Sequence, residues 1–272
     1  MGENSMKETY LLWENGAPGQ MEGCEVPKIH YCPAEHKTHS GTVVIFAGGA
    51  YTGRAPHEDV GYADFLNADG MSVFYVDYRV APYQYPCARL DARRAVRFVR
   101  ANAERFGIDP QKIAVMGSSA GGNLCALLTS GLGAFPEEGK DALDAVDGMP
   151  NAQILCYPYI SMTDPELRID WCSKTFFGED RMGLCEEVSP ECNVCGRTPT
   201  TFIFHTAADS LVNVIHSYSY ASALRRNGTP VEMHIFPDGD HGLGLSAGDS
   251  ELLRHDAQWG ELLLKWLSYN KF

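Results

Sequence analysis

Apolar positions along the chain follow two alternating patterns. Short runs rich in β-branched and aromatic residues carry almost no polar position, which is typical of strands buried on both faces. Other segments have apolar residues at helical spacing. The predicted strands are residues 41–47, 71–78, 112–116, 153–157, 200–206 and 231–236, and the predicted helices are 58–70, 88–107, 214–227 and 250–268. This alternation indicates a parallel sheet covered by helices on both faces.

The pattern shows no internal repeat and no domain break, so we expect an α/β protein with a single domain over residues 1–272. Two short stretches near the N-terminus, YLLW and KIHYC, predict edge strands. Residues 160–198 interrupt the alternation and are rich in Cys, Asp, Glu, Pro and Gly. We interpret them as a short lid-like insertion over one end of the sheet.

Composition narrows the function classes. The 272 residues are 44% hydrophobic and carry a formal net charge of −13, without blocks of Lys or Arg. A nucleic-acid partner and an anionic membrane surface are therefore not expected. The N-terminus lacks a basic segment followed by an apolar one, and no apolar run approaches about 18 residues. We expect a cytoplasmic protein without a membrane segment; the sequence leaves homo-oligomer formation open.

The nine cysteines are odd in number and scattered, which favours reduced thiols over a disulfide framework. Four of them fall in the insertion and could hold a structural zinc ion. They are Cys172, Cys185, Cys192 and Cys195. Their spacing lacks the paired C-x-x-C form, so free thiols and no bound metal are the expectation.

The motif Gly117-Ser118-Ser119-Ala120-Gly121 lies between a predicted strand and a helix. This is the G-x-S-x-G pattern of a nucleophile elbow, in which small neighbours let the central serine occupy a strained turn. The helix that follows points free N–H groups at the reacting centre. Ser119 is therefore the expected nucleophile, and Ser118 is the variable position.

A serine nucleophile needs a base and a group that orients the base. Asp209 follows a late predicted strand, and His241 lies in a glycine-rich loop after the last one. Their order after Ser119 matches Ser…Asp…His. Asp238 and Asp240 are alternative acids, although they are close to His241 along the chain. Two other histidines, His205 and His234, fall within strands and are expected to be structural.

An oxyanion hole is expected where the first buried strand ends in Gly48-Gly49-Ala50-Tyr51. The backbone N–H groups of Gly49 and Ala50 would face the substrate carbonyl oxygen, together with that of Ala120. Nearby side chains are candidates for substrate binding: Tyr51, Arg54 and His57, with Glu58 a further pocket residue. Four aromatic residues are expected to be exposed and could line a sugar site, a dimer contact or a lid hinge: Tyr83, Tyr85, Trp171 and Phe176.

The elements FAGGAY, DYRVAP, GSSAGG, HTAADSLV and DGDHGLGL resemble the α/β-hydrolase superfamily, and within it the bacterial acetyl xylan esterase-like and hormone-sensitive-lipase-like carbohydrate esterases. The resemblance covers residues 40 to 268. It implies a serine esterase that removes short acyl groups, typically acetate from sugars, with no cofactor. Two positions depart from the pattern: Ala50 replaces a third glycine, and Ala208 stands where relatives often carry a second acid.

The expected function is a serine esterase that removes acetyl groups from acetylated xylo-oligosaccharides or related sugars. A general short-chain carboxylesterase is an alternative. So is an amidase, peptidase or formamidase that uses the same three residues. A non-catalytic protein of this fold is less expected, because such proteins lose a triad member and all three are present here.

Overall fold

A central eight-stranded sheet organises the computed structural model, which describes residues 7–133, 141–245, 255 and 257–272. The strand order is β1-β2-β4-β3-β5-β6-β7-β8. Strands β3 to β8 run parallel, whereas β2 is antiparallel to both β1 and β4. The strands are β1 Glu8–Leu11, β2 Lys28–Cys32, β3 Thr42–Phe46, β4 Val73–Asp77, β5 Ile113–Ser118, β6 Ala152–Cys156, β7 Thr200–Thr206 and β8 Val231–Phe236.

The strand order reverses its direction between β3 and β5. After β3 the chain moves outward to β4, then returns to the other side of β3 to form β5. In open α/β sheets, ligands bind outside the carboxyl ends of the strands at such a reversal. The strands that meet here end at Phe46 and Ser118, directly before the predicted oxyanion turn and the predicted nucleophile.

Helices cover both faces of the sheet. Consecutive residues of β3 enter different hydrophobic clusters: Val44 and Phe46 join one, and Val43 and Ile45 join the other. This confirms the prediction of a mostly parallel sheet buried on both faces. The helices are α1 Val60–Ala68, α2 Cys87–Ala101, α3 Ala120–Leu128, α4 Asp170–Phe177, α5 Leu184–Val188, α6 Ile215–Arg226 and α7 Gln258–Tyr269. None of those in the described part of the chain is long and apolar enough to cross a bilayer.

Helix α2 ends earlier than the pattern predicts. It stops at Ala101 instead of continuing to Gly107. The N–H of Asn102 still makes the helical hydrogen bond to the Phe98 carbonyl at 3.1 Å, whereas the N–H of Ala103 donates to the Arg100 carbonyl, only three residues back, so the regular helical ladder ends here. Phe106 still reaches the core from the irregular turn that follows, so its apolar character suggested helix. The last predicted helix began at residue 250; residues 250–254 and 256 lie outside the described residues.

The insertion packs on the turn after β3. Helix α4 places the ring of Phe176 on that of Tyr51, with centroids 4.0 Å apart. The carbonyl of Phe176 accepts from the N–H of Tyr85 at 2.7 Å. The expectation of exposed aromatics was wrong for Phe176, Tyr83 and Tyr85, which are buried by these contacts and by the turn after β4. Trp171 is 52% exposed.

The cysteines of the insertion do not converge. Cys172 and Cys185 are buried in the hydrophobic core, whereas Cys192 is exposed. Burial raises the pKa of the Cys172 thiol to about 12, which keeps it protonated. Within the described ranges, no three His, Cys, Asp or Glu side chains form a group that could hold a metal ion. The structure therefore gives no support to the zinc hypothesis.

Candidate active site

Ser119 occupies the sharp turn between β5 and α3. Its backbone has φ 53° and ψ −117°, a conformation that L-residues rarely adopt. The turn is fixed by backbone hydrogen bonds: the N–H of Ser119 donates to the Cys156 carbonyl at 3.0 Å, and its carbonyl accepts from the N–H of Tyr159 at 3.1 Å. The strained residue is therefore held on β6 as well as at the end of β5.

Glycines around Ser119 are required by close backbone contacts. A Cβ at Gly117 would overlap the carbonyl oxygen of Gly121, and a Cβ at Gly121 would overlap that of Phe46. At Gly122 a Cβ would lie 2.8 Å from the Cβ of Pro158. Each contact joins the start of α3 to a neighbouring strand end, so the glycines let the helix approach the sheet closely enough to form the elbow.

Three side chains from separate loops form one hydrogen-bonded chain. The Oγ of Ser119 lies 2.8 Å from Nε2 of His241. The Nδ1 of His241 lies 2.7 Å from Oδ2 of Asp209. The structure thus brings together the three residues that the sequence predicted as nucleophile, base and acid. In this arrangement the imidazole donates from Nδ1 and can accept a proton at Nε2.

Asp209 is set up to remain ionised. Its side chain is fully buried, and burial by itself would raise the pKa of this carboxyl. Hydrogen bonds from His205, His241 and the backbone N–H of Val212 outweigh burial and hold the pKa well below its usual range. The other oxygen, Oδ1, accepts from the N–H groups of Leu211 and Val212 at 3.0 and 2.8 Å.

The alternative acids do not reach the imidazole. Asp238 is exposed in the turn after β8. Asp240 uses Oδ1 to accept from the backbone N–H of His241 at 2.8 Å and from the hydroxyl of Ser210 at 2.7 Å. It therefore ties the histidine loop to the aspartate loop.

His205 has a larger part in the site than a structural strand residue was expected to have. It is completely buried, and its Nε2 lies 3.2 Å from Oδ2 of Asp209 and 2.9 Å from the carbonyl oxygen of Val212. Its Nδ1 contacts the hydroxyl of Ser217 at 2.7 Å. The only signal in the sequence was its position four residues before Asp209, on the same strand and loop.

The turn after β3 contains two backbone N–H groups, those of Gly49 and Ala50, that are candidate donors. The residues have positive φ, 133° for Gly49 and 52° for Ala50. Among the hydrogen bonds of the described residues, none uses the N–H of Gly49 or Ala50 as a donor. The first N–H of α3, that of Ala120, has no acceptor within its own helix. These three groups match the donors expected of an oxyanion hole, and that role remains a proposal.

The candidate substrate-binding residues occupy different surroundings. Tyr51 is 2% exposed and donates its hydroxyl to Oδ1 of Asn123 at 2.6 Å, so the structure places it in the core and corrects its assignment to the substrate pocket. Arg54 donates to both carboxyl oxygens of Glu25 and to the carbonyl of Tyr78, each at 2.8 Å, so its guanidinium is engaged internally. His57 has a side chain 57% exposed beside the histidine loop.

A buried polar network that the sequence did not indicate lies beneath the elbow. The hydroxyl of Ser118 is 2.8 Å from that of Tyr62, which is 3.2 Å from that of Tyr157. Tyr157 donates to Oε1 of Glu58 at 2.7 Å. Ser118 therefore points away from the reacting centre and joins the core. The positions of Tyr62 in α1 and Tyr157 after β6 are separated by 95 residues.

The sheet topology, the strained serine and the hydrogen-bonded Ser119, His241 and Asp209 together define an α/β hydrolase. The match to a family model refines this assignment: residues 30–224 match the BD-FAE model. The chain therefore belongs to the BD-FAE family.

Named relatives and solved structures agree with this family. The chain is 34% identical over 211 residues to endo-1,4-beta-xylanase B of Butyrivibrio fibrisolvens and 30% identical over 212 residues to the acetylxylan esterase of Xylanibacter ruminicola. These alignments cover 74% and 75% of the chain but only 32% and 42% of the two relatives. The chain thus spans less than half of either relative.

A full-length structural match comes from the acetyl ester-xyloside bifunctional hydrolase of Caldicellulosiruptor lactoaceticus. Its crystal structure superposes with a TM-score of 0.85 at 35% sequence identity. The match covers 96% of each chain. The fold described above is therefore shared along almost the entire length of a solved α/β protein.

Proposed function

We propose that the protein is a serine carboxylic ester hydrolase that removes short acyl groups through an acyl-enzyme intermediate. The observation that carries the proposal is the chain from Ser119 Oγ to His241 Nε2 at 2.8 Å and from His241 Nδ1 to Asp209 at 2.7 Å. Its members come from loops after β5, β7 and β8. The names of relatives support the reaction class, since several are esterases.

In the proposed acylation step, Ser119 Oγ attacks the acyl carbon while His241 Nε2 takes its proton. Asp209 keeps the Nδ1–H tautomer and stabilises the imidazolium that forms. The carbonyl oxygen becomes an oxyanion, which the N–H groups of Gly49, Ala50 and Ala120 stabilise by about 3 kcal/mol each. The imidazolium then gives its proton to the departing alcohol oxygen, and the C–O bond breaks.

In the deacylation step, water takes the place of the alcohol. His241 removes a proton from the water, which attacks the acyl carbon bound to Ser119 Oγ. The same backbone donors stabilise the second oxyanion. The proton returns from His241 to Ser119 Oγ as the carboxylic acid leaves, which restores the free enzyme.

We infer a short acyl group, and acetate on xylo-oligosaccharides as the preferred substrate. Helix α4 lies against the oxyanion turn, with Cys172 Sγ 3.8 Å from the Ala50 carbonyl and Phe176 stacked on Tyr51. An acyl chain beside Ala50 therefore meets a packed helix, which favours small groups. An acetylxylan esterase and an acetyl ester-xyloside bifunctional hydrolase are among the relatives, which supports an acetylated xyloside as the alcohol part.

Release of acetate from peracetylated xylo-oligosaccharides tests this proposal, together with a chain-length series of p-nitrophenyl esters. We expect rapid acetate release and a rate that falls with acyl length, both abolished in Ser119→Ala. Ser130→Ala is the matched control, because it removes another buried hydroxyl. Ser130 follows α3, and its hydroxyl donates to the carbonyl of Leu127.

Three results would change the proposal. Hydrolysis of small artificial esters alone would keep the mechanism and identify a general short-chain carboxylesterase. Hydrolysis of the corresponding p-nitroanilide amides in place of the esters would move the protein to the amidase class. Full activity in Ser119→Ala would overturn the mechanism itself.

A further inference from the structure

Glu58 is a buried acid that the proposed mechanism does not use. It is 3% exposed and lies in the 3₁₀ turn Pro56–Glu58, before α1. Its Oε2 accepts from the backbone N–H of Gly48 at 2.7 Å. Gly48 immediately precedes the donors of Gly49 and Ala50, so this hydrogen bond anchors the start of the oxyanion turn. It also satisfies the Gly48 N–H, whereas the N–H groups of Gly49 and Ala50 have no acceptor among the described residues.

The second oxygen of Glu58 leads to the histidine loop. Oε1 accepts from the hydroxyl of Tyr157 at 2.7 Å, and that hydroxyl accepts from the N–H of Gly244 at 2.9 Å. Gly244 lies three residues after His241. Burial, with the nearby Glu58 carboxyl, raises the pKa of Tyr157 far above its usual range, so the phenol remains a donor. One carboxyl group therefore connects both loops.

Tyr157 also contacts the imidazole directly. Its ring lies edge-on to that of His241, with centroids 5.2 Å apart at 72°. Tyr157 has φ 36°, a strained conformation for a non-glycine residue, and its N–H donates to the Phe204 carbonyl at 2.6 Å. Strain of this kind persists where the surroundings over-determine a residue, and it is concentrated near functional sites.

A second link joins the 3₁₀ turn of Glu58 to the histidine loop. The Nε2 of His57 lies 2.9 Å from the carbonyl oxygen of Gly242, the residue after His241. The approach is close: a Cβ at Gly244 would stand 2.9 Å from Cδ2 of His57. The 3₁₀ turn Pro56–Glu58 thus contacts the histidine loop at two points. His57 reaches Gly242 directly, and Glu58 reaches Gly244 through Tyr157.

We propose that Glu58 is a positioning residue whose carboxyl group, acting through Gly48 and Tyr157, sets the separation between the oxyanion turn and the His241 loop. Both loops must be aligned on one acyl carbon, and a misplacement of about 1 Å can reduce the rate by about 100-fold. The inference rests on the proposed function. Failure of the proposed function and failure of this inference can be distinguished, because Ser119→Ala tests the nucleophile and the Glu58 variants test the alignment of the loops.

The test compares Glu58→Ala, Glu58→Gln and Tyr157→Phe with p-nitrophenyl acetate as the probe. We expect kcat to fall by about 10- to 100-fold in Glu58→Ala, with KM changed by less than about threefold, because alignment acts on the transition state. Glu58→Gln should recover part of this loss. Its amide oxygen can accept from Gly48 while its NH₂ donates to the Tyr157 oxygen.

A merely structural role would give a different result. Rates are expressed per active site labelled by a covalent serine reagent, and the melting temperature is recorded for each variant. Thr42→Val is the matched control: it removes a buried hydrogen bond, from Thr42 Oγ1 to the Ser72 carbonyl, at the opposite end of β3. It should lower stability and leave kcat unchanged.

A kcat within about twofold of wild type in Glu58→Ala, alongside a lower melting temperature, would overturn the proposal. If Glu58→Ala does not fold, Tyr157→Phe decides. That variant keeps the ring on His241 and removes only the hydroxyl that joins Glu58 to Gly244. A several-fold loss of kcat supports the proposal, and an unchanged kcat overturns it.

Discussion

His205 and His241 converge on one oxygen atom, Oδ2 of Asp209, at 3.2 and 2.7 Å. Oδ1 of the same carboxyl accepts from two backbone N–H groups. All contacts to the carboxylate are therefore made by donors, and this explains why its pKa lies far below the usual range despite burial. In the proposed mechanism, the acid is therefore fixed in place before the imidazole becomes charged.

Asp209→Asn should reduce kcat by about 10,000-fold while the protein remains folded. An asparagine amide directs its NH₂ either at the imidazole, which deprives the Nδ1–H tautomer of His241 of its acceptor, or at the N–H groups of Leu211 and Val212. In both orientations the negative charge that stabilises the imidazolium is lost. Steady-state hydrolysis of p-nitrophenyl acetate measures the loss, and circular dichroism checks the fold. Asp238→Asn is the control, since Asp238 is exposed. Near-normal turnover in Asp209→Asn would assign the acid role elsewhere.

His205→Ala should lower the free energy of unfolding by about 1–3 kcal/mol, because it leaves the buried Val212 carbonyl and Ser217 hydroxyl without their partner. A kcat loss of roughly tenfold should accompany it, since one of the donors that hold Asp209 is gone. Urea unfolding and steady-state kinetics measure the two effects. Unchanged kcat in folded protein would show that the remaining contacts orient Asp209 sufficiently.

His216 should make stability depend on pH. Burial, followed by the nearby His205, lowers its pKa from 6.5 to about 4, and its Nδ1 accepts from the N–H groups of Ile160 and Ser161. The unfolded chain binds this proton more readily, so stability is complete above pH about 6.5 and is lost as pH falls toward 4. The loss approaches about 3 kcal/mol.

Urea unfolding from pH 7.5 to 4.5 checks the effect of His216. The free energy of unfolding of the wild type should fall more steeply than that of His216→Gln, which keeps a carbonyl acceptor but cannot titrate. Parallel curves for the two proteins would contradict the assignment, because every other titrating group is shared between them.

Tyr51→Phe tests the corrected position of that residue. The substitution removes the hydroxyl that donates to Asn123 Oδ1 and leaves a buried amide oxygen without a partner, which should cost about 1–3 kcal/mol. KM for acetylated xylo-oligosaccharides should stay within about twofold of wild type, since the ring is covered by Phe176. A large increase in KM at unchanged stability would return Tyr51 to the substrate pocket.

The sequence alone predicted the class of fold and the residues Ser119, Asp209 and His241, with Asp238 and Asp240 as alternative acids. The apolar runs at 41–47 and 112–116 predicted buried strands because strands covered on both faces have no polar side. Ser119 could be chosen over Ser118 because only one register places glycine two residues away on each side. The apolar runs and the glycine spacing around Ser119 are local patterns within a few residues. They can therefore be recognised without knowing which residues are close in the folded structure.

Tertiary structure alone decided which distant groups meet. Helix α2 ends at Ala101 although Phe106 continues the apolar pattern, because Phe106 reaches the core from the irregular turn after the helix. A carboxyl oxygen of Asp209 contacts the His241 imidazole, whereas Asp240 contacts the backbone N–H of His241 instead. Glu58 and Tyr157 form a hydrogen bond although 99 residues of sequence separate them. Hydrogen bonds require donor and acceptor within about 3 Å, and the packing of the whole sheet sets such distances.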